Sequence, residues 1–362
     1  DFAQTELLPG VIDRDETQTF PHEQIKKMGE LGFLGMMVSP EYGGGGMDTI
    51  SYVLAMEEIS KVDASASVVM SVNNSLVCWG IEKFGTEEQK QKYLTRLATG
   101  EIIGAFCLSE PEAGSDATSQ RTTAIDMGDH YLVNGTKNWI TNGNNAEVYI
   151  VITQTDVDKG HRGINALILE KGMDGFVVGP KENKMGIRGS DTHSLMFTDV
   201  KVPKENRIGA DGFGFKFAMQ TLSGGRIGIA SQALGVASGA LELALQYSKE
   251  RKSFGKPICE HQAIAFKLAD MATEIEAARL LCLRAAWHKD SGVDFTESGA
   301  MAKLFSAEKA MRITTEAVQI HGGYGFVKEY HVERLMRDAK ITQIYEGTSE
   351  IQKIVISRSI LK

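Results

Sequence analysis

The spacing of apolar residues changes twice along this chain, and these two changes restrict the fold more than any other feature. Helical spacing dominates residues 1–104, short β-rich runs fill residues 105–205, and helical spacing returns over residues 206–362. Because helical and β-rich segments occur in separate blocks, the sequence predicts an α+β protein. A small antiparallel β domain is expected between an N-terminal helical domain and a C-terminal four-helix bundle.

The last block contains four long helical patterns, which are expected to pack as an antiparallel four-helix bundle. Glycines weaken the helical propensity of the first pattern locally, and two adjacent glycines end the third. The four predicted helices cover residues 219–249, 262–289, 296–320 and 349–361.

The first block predicts shorter helices, including an almost wholly apolar one that is expected to be buried. Asp48 precedes another of them and is a good N-cap residue. The chain opens at Asp1 without a methionine, so we expect the first helix to be truncated. The predicted helices cover residues 23–31, 50–59, 64–84 and 87–97.

Two turns divide the β-rich block. One lies at residues 126–129 and the other at Asn134-Gly135, a dipeptide typical of tight hairpins. The predicted strands cover residues 122–125, 131–133, 138–141, 148–153, 164–169 and 193–200.

Charge and cysteine usage exclude several classes of partner. The 362 residues carry a formal net charge of -8, which disfavours nucleic acid and anionic membranes as main partners. The four cysteines form no CxxC pair, so neither disulfides nor a metal site is predicted, and a reducing compartment fits best. No apolar run is expected to reach the roughly 20 residues of a membrane span. We therefore expect a protein that is neither secreted nor inserted in a membrane: cytoplasmic if bacterial, or in the mitochondrial matrix if eukaryotic.

Glu346 is the first candidate catalytic residue. It lies between Tyr345 and Gly347, just before the last predicted helix, for which Thr348 or Ser349 can provide the N-cap. Glycine adds no side-chain bulk, so a ligand can approach this carboxylate closely. A general base is one interpretation. An isolated glutamate before a helix is more often simply solvated, so the interpretation depends on the rest of the chain.

Glycine-rich segments occur in four places. Those at 43–46 and 212–214 lie outside any βαβ unit, so a Rossmann interpretation is weak. The segment at 108–116 follows an apolar strand, and its exposed backbone N–H groups are suited to a phosphate or a ring edge. The segment at 322–325 closes the third bundle helix.

Six motifs in order along the chain resemble those of the acyl-CoA dehydrogenases, and within that family most closely the short-chain, butyryl-type members. The resemblance covers essentially the whole chain except the first helix. The subfamily resemblance rests on residues 225–230 and 341–346. The six motifs lie at residues 108–116, 139–142, 184–188, 250–255, 319–325 and 345–348.

The resemblance implies FAD and an acyl-CoA thioester as ligands, a homotetramer, and electron transfer to an electron-transferring flavoprotein. It implies that Glu346 removes the pro-R α-proton while a hydride leaves the β-carbon for the flavin N5. Arg251 and Gln262 are expected to meet the pyrophosphate and adenine side of FAD, and 319–323 to do so from a neighbouring subunit. The implied FAD contacts are Phe106, Leu108, Ser109, Gly114, Ser115, Trp139, Ile140, Thr141, Arg251, Phe254, Gln262, Gln319, Gly322, Gly323, Thr348 and Glu350.

The implied contacts to the CoA thioester are Ser115, Ser223, Arg226 and Gly347. Removal of an α-proton creates an enolate-like charge, which needs donors aimed at the thioester oxygen. The backbone N–H of Glu346 is suited to be one donor, and the resemblance implies a flavin hydroxyl as the other. A free glutamate titrates at about 4.3, and exclusion of water should raise its pKa toward roughly 6 to 7.

Two positions restrict the class of acyl-CoA that is expected as the substrate. Isovaleryl- and long-chain-type relatives carry the base at the position of Gly225, so the base here is Glu346. Glutaryl-type relatives carry a carboxylate-binding arginine at the position of Ser67. A dicarboxylate would lack a partner here, so short unbranched chains are favoured and short branched chains stay open. Two other functions also stay open, a non-catalytic scaffold and an oxidase that passes electrons to oxygen.

Overall fold

A computed structural model describes residues 1–362, and its first part is helical. The Asp48 side chain accepts a hydrogen bond from the Ser51 backbone N–H at 2.7 Å and so caps α3 as expected. α4 and α5 form one continuous helical stretch through a π-helical segment, Val72–Cys78. The helices are α1 Val11–Thr17, α2 His22–Glu30, α3 Thr49–Ser60, α4 Ala64–Ser71, α5 Trp79–Phe84, α6 Glu87–Gln89 and α7 Thr95–Ala98.

The middle part is one seven-stranded sheet with strand order β1-β4-β2-β3-β7-β6, and β5 pairs with β4. The α+β class, with helical domains on both sides of a central sheet, is therefore confirmed. The strands are β1 Gly104–Cys107, β2 Thr123–Asp126, β3 His130–Thr141, β4 Val148–Gln154, β5 Ile164–Glu170, β6 Phe176–Lys181 and β7 Thr192–Pro203.

The sheet is mixed, which corrects the expectation of a purely antiparallel one. β4 pairs in parallel with β1 and, at one residue pair, with β2. The other pairings are antiparallel. Parallel neighbours need a long connection, and the segment between β1 and β4, which contains the β2–β3 pair, supplies one.

The expected turn at Asn134-Gly135 is also wrong. β3 runs without interruption from His130 to Thr141, and the pairing of β3 with β7 shifts its register between Val133 and Gly135. A Cβ at Gly135 would lie 2.6 Å from Thr122 Cα. The glycine therefore permits close approach of a neighbouring segment at an irregularity in the strand, rather than a hairpin.

The last part contains the expected bundle and one further helix. α11 was not predicted, although Val332, Leu335 and Ala339 form a buried stripe at helical spacing. A short hairpin, β8 Lys252–Ser253 with β9 Lys256–Pro257, joins the first two long helices. The helices are α8 Gly214–Glu250, α9 Gln262–Asp290, α10 Thr296–His321, α11 His331–Ile341 and α12 Ser349–Ile360.

α8 remains one helix despite its glycines, because they let α3 pack closely against it. A Cβ at Gly235 would overlap the backbone carbonyl of Glu57, and one at Gly239 would overlap that of Lys61. Burial against α3 outweighs the intrinsic cost of about 1 kcal/mol for each helical glycine.

Two helical stretches are long and apolar enough to cross a membrane, contrary to the sequence-based expectation. These are Ala64–Phe84 and Gly214–Glu250, in which 94% and 89% of the most apolar window is buried inside the protein. Such burial is typical of core helices. One cluster of 51 buried residues joins both helical parts to one face of the sheet, and the candidate site lies where these parts meet.

Candidate active site

The loop between α11 and α12, residues 342–348, carries Glu346 in a left-handed backbone conformation. Its φ is 51°, and that of Gly347 is 91°. For a glutamate this conformation costs on the order of 1–3 kcal/mol and persists only where surrounding contacts hold it. One such contact is the N-cap of α12, where the Thr348 hydroxyl accepts a hydrogen bond from the Ile351 backbone N–H at 3.3 Å.

Two buried side chains, which the sequence analysis missed, hold the carbonyl groups of this loop. Gln352 donates from Nε2 to the backbone oxygens of Glu346 and Gly347, at 3.2 Å and 2.8 Å. Lys303, on α10, donates from Nζ to the backbone oxygen of Gly347 at 2.7 Å. Both side chains belong to residues with no exposed surface. The strained peptide of Glu346 is thus held from two different helices.

These contacts direct the Glu346 carboxylate onto α8. A Cβ at Gly225 would overlap Oε2 of Glu346 and would lie 2.8 Å from Leu76 Cδ2. Oε2 is buried and has no hydrogen-bond partner within the protein. The carboxylate therefore occupies the space that a side chain at position 225 would fill, and one of its oxygens is free to act on a ligand.

Burial raises the pKa of the Glu346 carboxyl to about 7, while the positive charges of Lys303 and Arg226 act in the opposite direction. Arg226 is itself buried, and its Nε has no partner. Burial lowers the pKa of Arg226, and the Glu346 carboxylate opposes that shift. A carboxyl that titrates near neutral pH is suited to accept a proton from carbon.

Tyr52 packs against α8 at Gly228, which lies one helical turn beyond Gly225. A Cβ at Gly228 would lie 2.6 Å from Ser71 Oγ and 2.7 Å from Tyr52 Oη. Tyr52 is 1% exposed, and its hydroxyl lies 3.0 Å from Ser75 Oγ. The two glycines thus let side chains from other elements lie directly against α8, the Glu346 carboxylate at Gly225 and the Ser71 and Tyr52 hydroxyls at Gly228.

A second hydrogen-bonded wall stands one further turn along α8. Gln232 donates from Nε2 to Ser67 Oγ at 3.0 Å and to the Ala64 backbone oxygen at 2.9 Å. The Tyr345 hydroxyl donates to Gln232 Oε1. Ser67 is fully buried and partnered. This wall contains no cation to receive a distal carboxylate.

The flavin-type motifs of the sheet lie next to each other, because β1 and β3 are adjacent at their ends. The Asn138 backbone N–H donates to the Ser109 carbonyl at 2.9 Å. Trp139 has a φ of 57° and is 59% exposed, so its indole stands out from the sheet. Around the Trp139 indole, two of the predicted residues are buried, Phe106 and Ile140. Three others are half-buried, Leu108, Ser109 and Thr141.

A buried ion pair, also missed from sequence, supports the loop that follows β1. Lys137 Nζ lies 2.7 Å from Glu110 Oε1 and donates to the Leu108 carbonyl at 3.0 Å. Glu110 accepts from the backbone N–H groups of Arg121 and Thr122, at 2.6 Å and 3.1 Å. Burial lowers the pKa of Lys137 to about 8. Farther along this loop Gly114 and Ser115 are exposed.

Three further predicted residues line a separate cavity of about 510 Å³, which we call the outer groove. Arg251, Gly322 and Gly323 line it, and the Arg251 guanidinium lies 5.4 Å from the centre of the Tyr324 ring. Phe254 is 96% exposed on the β8–β9 turn. Gln262 and Gln319 are also exposed.

The predicted thioester contacts fall into different places. Arg226 and Gly347 adjoin Glu346, whereas Ser115 is on the loop after β1. Ser223 lines another cavity, of about 550 Å³, together with Trp79, Phe84 and Lys289, none of which was predicted. Thr348 is half-buried at the cap of α12, and Glu350 is exposed in its first turn.

Family models match nearly the whole chain. The acyl-CoA dehydrogenase N-terminal domain matches residues 1–101, the middle domain residues 105–200, and the C-terminal domain residues 212–361. The chain belongs to the acyl-CoA dehydrogenase family. It is therefore an FAD-dependent oxidoreductase of the type that acts in fatty acid oxidation.

Individual relatives match this acyl-CoA dehydrogenase over its whole length. The short-chain specific acyl-CoA dehydrogenase of Clostridium acetobutylicum is 52% identical over 362 residues, which are 100% of this chain and 96% of that protein. The butyryl-CoA dehydrogenase structure of Megasphaera elsdenii has a TM-score of 0.98 at 51% identity, covering 100% of this chain and 96% of the other. Bacterial and mitochondrial proteins both occur among the relatives.

A third relative comes from a structure described as the electron transferring flavoprotein of Acidaminococcus fermentans, in work on flavin-based electron bifurcation. The matching chain has a TM-score of 0.99 at 53% identity, and the match covers 100% of this chain and 95% of the other.

The residues of this acyl-CoA dehydrogenase fit FAD. Trp139 offers an exposed aromatic face for a ring, and Arg251 offers a charged donor suited to a pyrophosphate. A Cβ at Gly114 or Gly323 would meet no atom within 4 Å, so the backbone there is open to a ligand. No group of three or more His, Cys, Asp or Glu side chains is arranged to hold a metal ion.

Proposed function

We propose that this protein dehydrogenates a short straight-chain acyl-CoA to the trans-2-enoyl-CoA, with Glu346 as the α-proton acceptor. One observation carries the proposal: the Glu346 carboxylate has a buried, unpartnered oxygen over Gly225, in surroundings that raise its pKa to about 7. A short-chain specific relative at 52% identity supports the substrate class.

The chemistry divides between this carboxylate and the cofactor. Glu346 accepts the α-proton, and the electron pair left behind develops negative charge on the thioester oxygen. A donor aimed at that oxygen stabilises the charge, and the backbone N–H of Glu346 is the candidate within this chain. Bound FAD supplies the hydride acceptor for the β-carbon. The burial of the Glu346 carboxylate oxygen against α8 keeps water away from it, which strengthens these electrostatic interactions.

The side chains packed beside Gly225 and Gly228 support a short, straight acyl chain as the substrate. In this proposal the acyl group lies between the two glycines and reaches Tyr52 after a few carbons, and we call this path the acyl channel. Each buried methylene contributes about 0.8 kcal/mol while room lasts, and overpacking then costs about 1–3 kcal/mol. Ser67 and Gln232 provide no charge for a dicarboxylate. A short branched acyl-CoA is the alternative substrate.

The proposed contacts to FAD divide between the residues near Trp139 and those near Arg251. Trp139, the loop after β1 and Thr348 with Glu350 contact the flavin half of FAD. The pyrophosphate and adenine are contacted by Arg251 and the two glycines of the outer groove together with the exposed Phe254, Gln262 and Gln319, and a neighbouring subunit of a homotetramer completes the site. Ser115, Ser223, Arg226 and Gly347 contact the acyl-CoA. Electrons leave to an electron-transferring flavoprotein, in the cytoplasm or mitochondrial matrix.

An anaerobic titration of the flavin-loaded protein with acetyl- to lauroyl-CoA, followed by the flavin spectrum, tests the reaction and the chain length together. Isobutyryl-, isovaleryl- and glutaryl-CoA belong in the same series. We expect the flavin to bleach, with the highest kcat/KM near four carbons. No bleaching by any acyl-CoA would contradict the reaction. An optimum at eight carbons or beyond, or glutaryl-CoA as the best substrate, would contradict the specificity alone.

Glu346→Gln tests the base. The amide is nearly the same size but does not accept the α-proton, so kcat should fall by roughly 10²–10⁴-fold while FAD and acyl-CoA still bind. Glu30→Gln is the matched control, because Glu30 is an exposed carboxylate at the end of α2 with no assigned contact to FAD or acyl-CoA. Near-normal turnover of Glu346→Gln with butyryl-CoA would refute the assignment.

A further inference from the structure

Lys303 is the most unusual charged residue outside the predicted set. It lies in the middle of α10, has no exposed surface and forms no salt bridge. Its Nζ donates one hydrogen bond within the protein, to the Gly347 carbonyl at 2.7 Å. Burial of a cation without a direct carboxylate partner is expensive. A lysine in this environment costs stability, which indicates that its charge serves another purpose.

The charged groups around Lys303 come from α8, α10, α12 and the 342–348 loop. Glu346 on the 342–348 loop, Glu308 on α10 and Glu350 at the start of α12 favour its charge, while Arg226 on α8 opposes it. Burial is the largest influence and lowers the pKa of Lys303 to about 8. Lys303 is thus cationic at neutral pH, beside a carboxylate that otherwise has only Arg226 as a positive neighbour.

We propose that Lys303 is a positioning residue for the proposed base, which fixes the Gly347 carbonyl so that the Glu346 carboxylate stays over Gly225, and whose charge keeps that carboxylate ionised. This inference rests on the proposed function of Glu346. It assigns two effects to one side chain. The hydrogen bond holds the strained loop, and the charge offsets the burial of the carboxylate.

The two effects make different predictions. Loss of the charge removes the first of the influences that lower the pKa of Glu346, so Glu346 should be protonated up to a higher pH. Loss of a hydrogen bond alone should lower kcat without moving the pH dependence. Gln352 separates the cases, because it bonds the Gly347 carbonyl as Lys303 does, and the Glu346 carbonyl as well, but carries no charge.

The experiment compares Lys303→Met, Lys303→Arg and Gln352→Met, with Lys309→Met as the control. Lys309 lies on the same helix and forms a salt bridge with Glu274 at 2.9 Å, away from Glu346. Ionisation of Glu346 is measured directly by infrared difference titration of the carboxyl band, which is assigned by its absence in Glu346→Gln. The pH profile of kcat/KM with butyryl-CoA is recorded alongside.

We expect Lys303→Met to move both the infrared titration and the acid limb of kcat/KM upward by about one pH unit. Lys303→Arg, Gln352→Met and Lys309→Met should leave both at the wild-type pH, and Gln352→Met should lower kcat. Unchanged ionisation in a folded Lys303→Met protein overturns the proposal. If Lys303→Met does not fold, an upward shift in Lys303→Arg, which retains the charge, overturns it.

Failure of this inference is distinguishable from failure of the proposed function. An active Glu346→Gln protein would refute the base, yet the infrared titration would still report whether Lys303 controls the ionisation of Glu346. Conversely, an inactive Glu346→Gln protein with an unshifted Lys303→Met titration would leave the base in place and remove the role of Lys303.

Discussion

Two turns of this molecule share a backbone signature and differ in almost everything else. Glu346-Gly347 and Phe254-Gly255 each place a non-glycine residue at positive φ, 51° and 48°, followed by a glycine at positive φ. Buried side chains hold the first pair through three hydrogen bonds. The second pair is held by a two-residue hairpin, with Phe254 96% exposed and no atom within 4 Å of a Cβ at Gly255.

The difference separates two kinds of site. Where the chain's own buried groups hold a strained residue, its geometry is finished within one protomer, as expected for a group that takes part in chemistry. Where a large aromatic residue projects almost fully exposed, as Phe254 does, the surface is suited to a contact from outside the chain. We use the name base centre for Glu346 and the buried side chains that hold its loop. We infer that the base centre depends on contacts within one protomer, whereas the outer groove depends on a cofactor and a neighbouring subunit.

The largest effect should come from breaking the base centre with one methyl group. Gly225→Ala introduces a Cβ that overlaps Glu346 Oε2, so the carboxylate must leave its place. We expect kcat to fall by roughly 10²–10⁴-fold, as for loss of the base itself. Gly224→Ala is the matched control on the same helix, since its Cβ meets only Lys289 Nζ at 3.9 Å. Equal activity of both variants would show that Glu346 does not act at Gly225.

The outer groove should respond in a different measurement. Arg251→Ala removes a charge-assisted donor, worth about 1.5–3 kcal/mol, and should therefore weaken FAD binding by roughly 10- to 100-fold. If FAD also contacts a neighbouring subunit, the oligomer should loosen with it. Flavin content and size-exclusion mass are the measurements, and Lys252→Ala, an exposed neighbouring cation, is the control. A fully flavinated Arg251→Ala protein of unchanged mass would contradict this role.

Much of this comparison was predictable from sequence, because it rests on local signals. Gly347 and Thr348 marked a loop that leads into a capped helix. The order of helical and β-rich blocks followed from apolar spacing. Each of these features depends on residues only a few positions apart.

The residues that were missed depend on contacts between distant segments. Lys303 lies in an amphipathic helix, where a lysine is normally solvated. Its burial arises because α10 packs against both α8 and α12. The Lys137–Glu110 pair joins positions 27 apart, and the parallel pairing of β1 with β4 joins strands with a hairpin between them. α11 was the exception, since its apolar spacing was visible in the sequence.

The pH dependence of activity also distinguishes Glu346 from the outer groove, because kcat/KM should change about tenfold per pH unit below the pKa of the base. Burial raises the pKa of Glu346 to about 7, so the base is protonated and inactive below that pH. We expect kcat/KM for butyryl-CoA to fall as the pH drops through about 7, whereas FAD retention at the exposed outer groove should not follow that limb.

The raised pKa of Glu346 also makes the free energy of unfolding depend on pH. The unfolded chain releases this proton at a lower pH, so the free energy of unfolding should decrease as pH rises toward 7.

Glu346→Gln is the control for that stability effect, because it lacks the titrating group. Its free energy of unfolding, measured in urea at several pH values, should lose this component of the pH dependence. Identical pH dependence in both proteins would contradict the raised pKa.

The smallest expected effect tests whether the acyl channel can be enlarged without harm to the base centre. Tyr52 closes the channel beyond Gly228, and its hydroxyl bonds Ser75 rather than any residue of the 342–348 loop. Tyr52→Leu should therefore leave Glu346 in place and extend the channel. Each added methylene that finds room contributes about 0.8 kcal/mol, or about fourfold in kcat/KM. We expect the optimum to move from about four carbons to a longer chain, while kcat for butyryl-CoA changes little. Tyr42→Leu, another buried tyrosine of the N-terminal part, controls for general loss of stability. If Tyr52→Leu lowers kcat/KM equally for every chain length, Tyr52 supports the fold and does not limit the substrate.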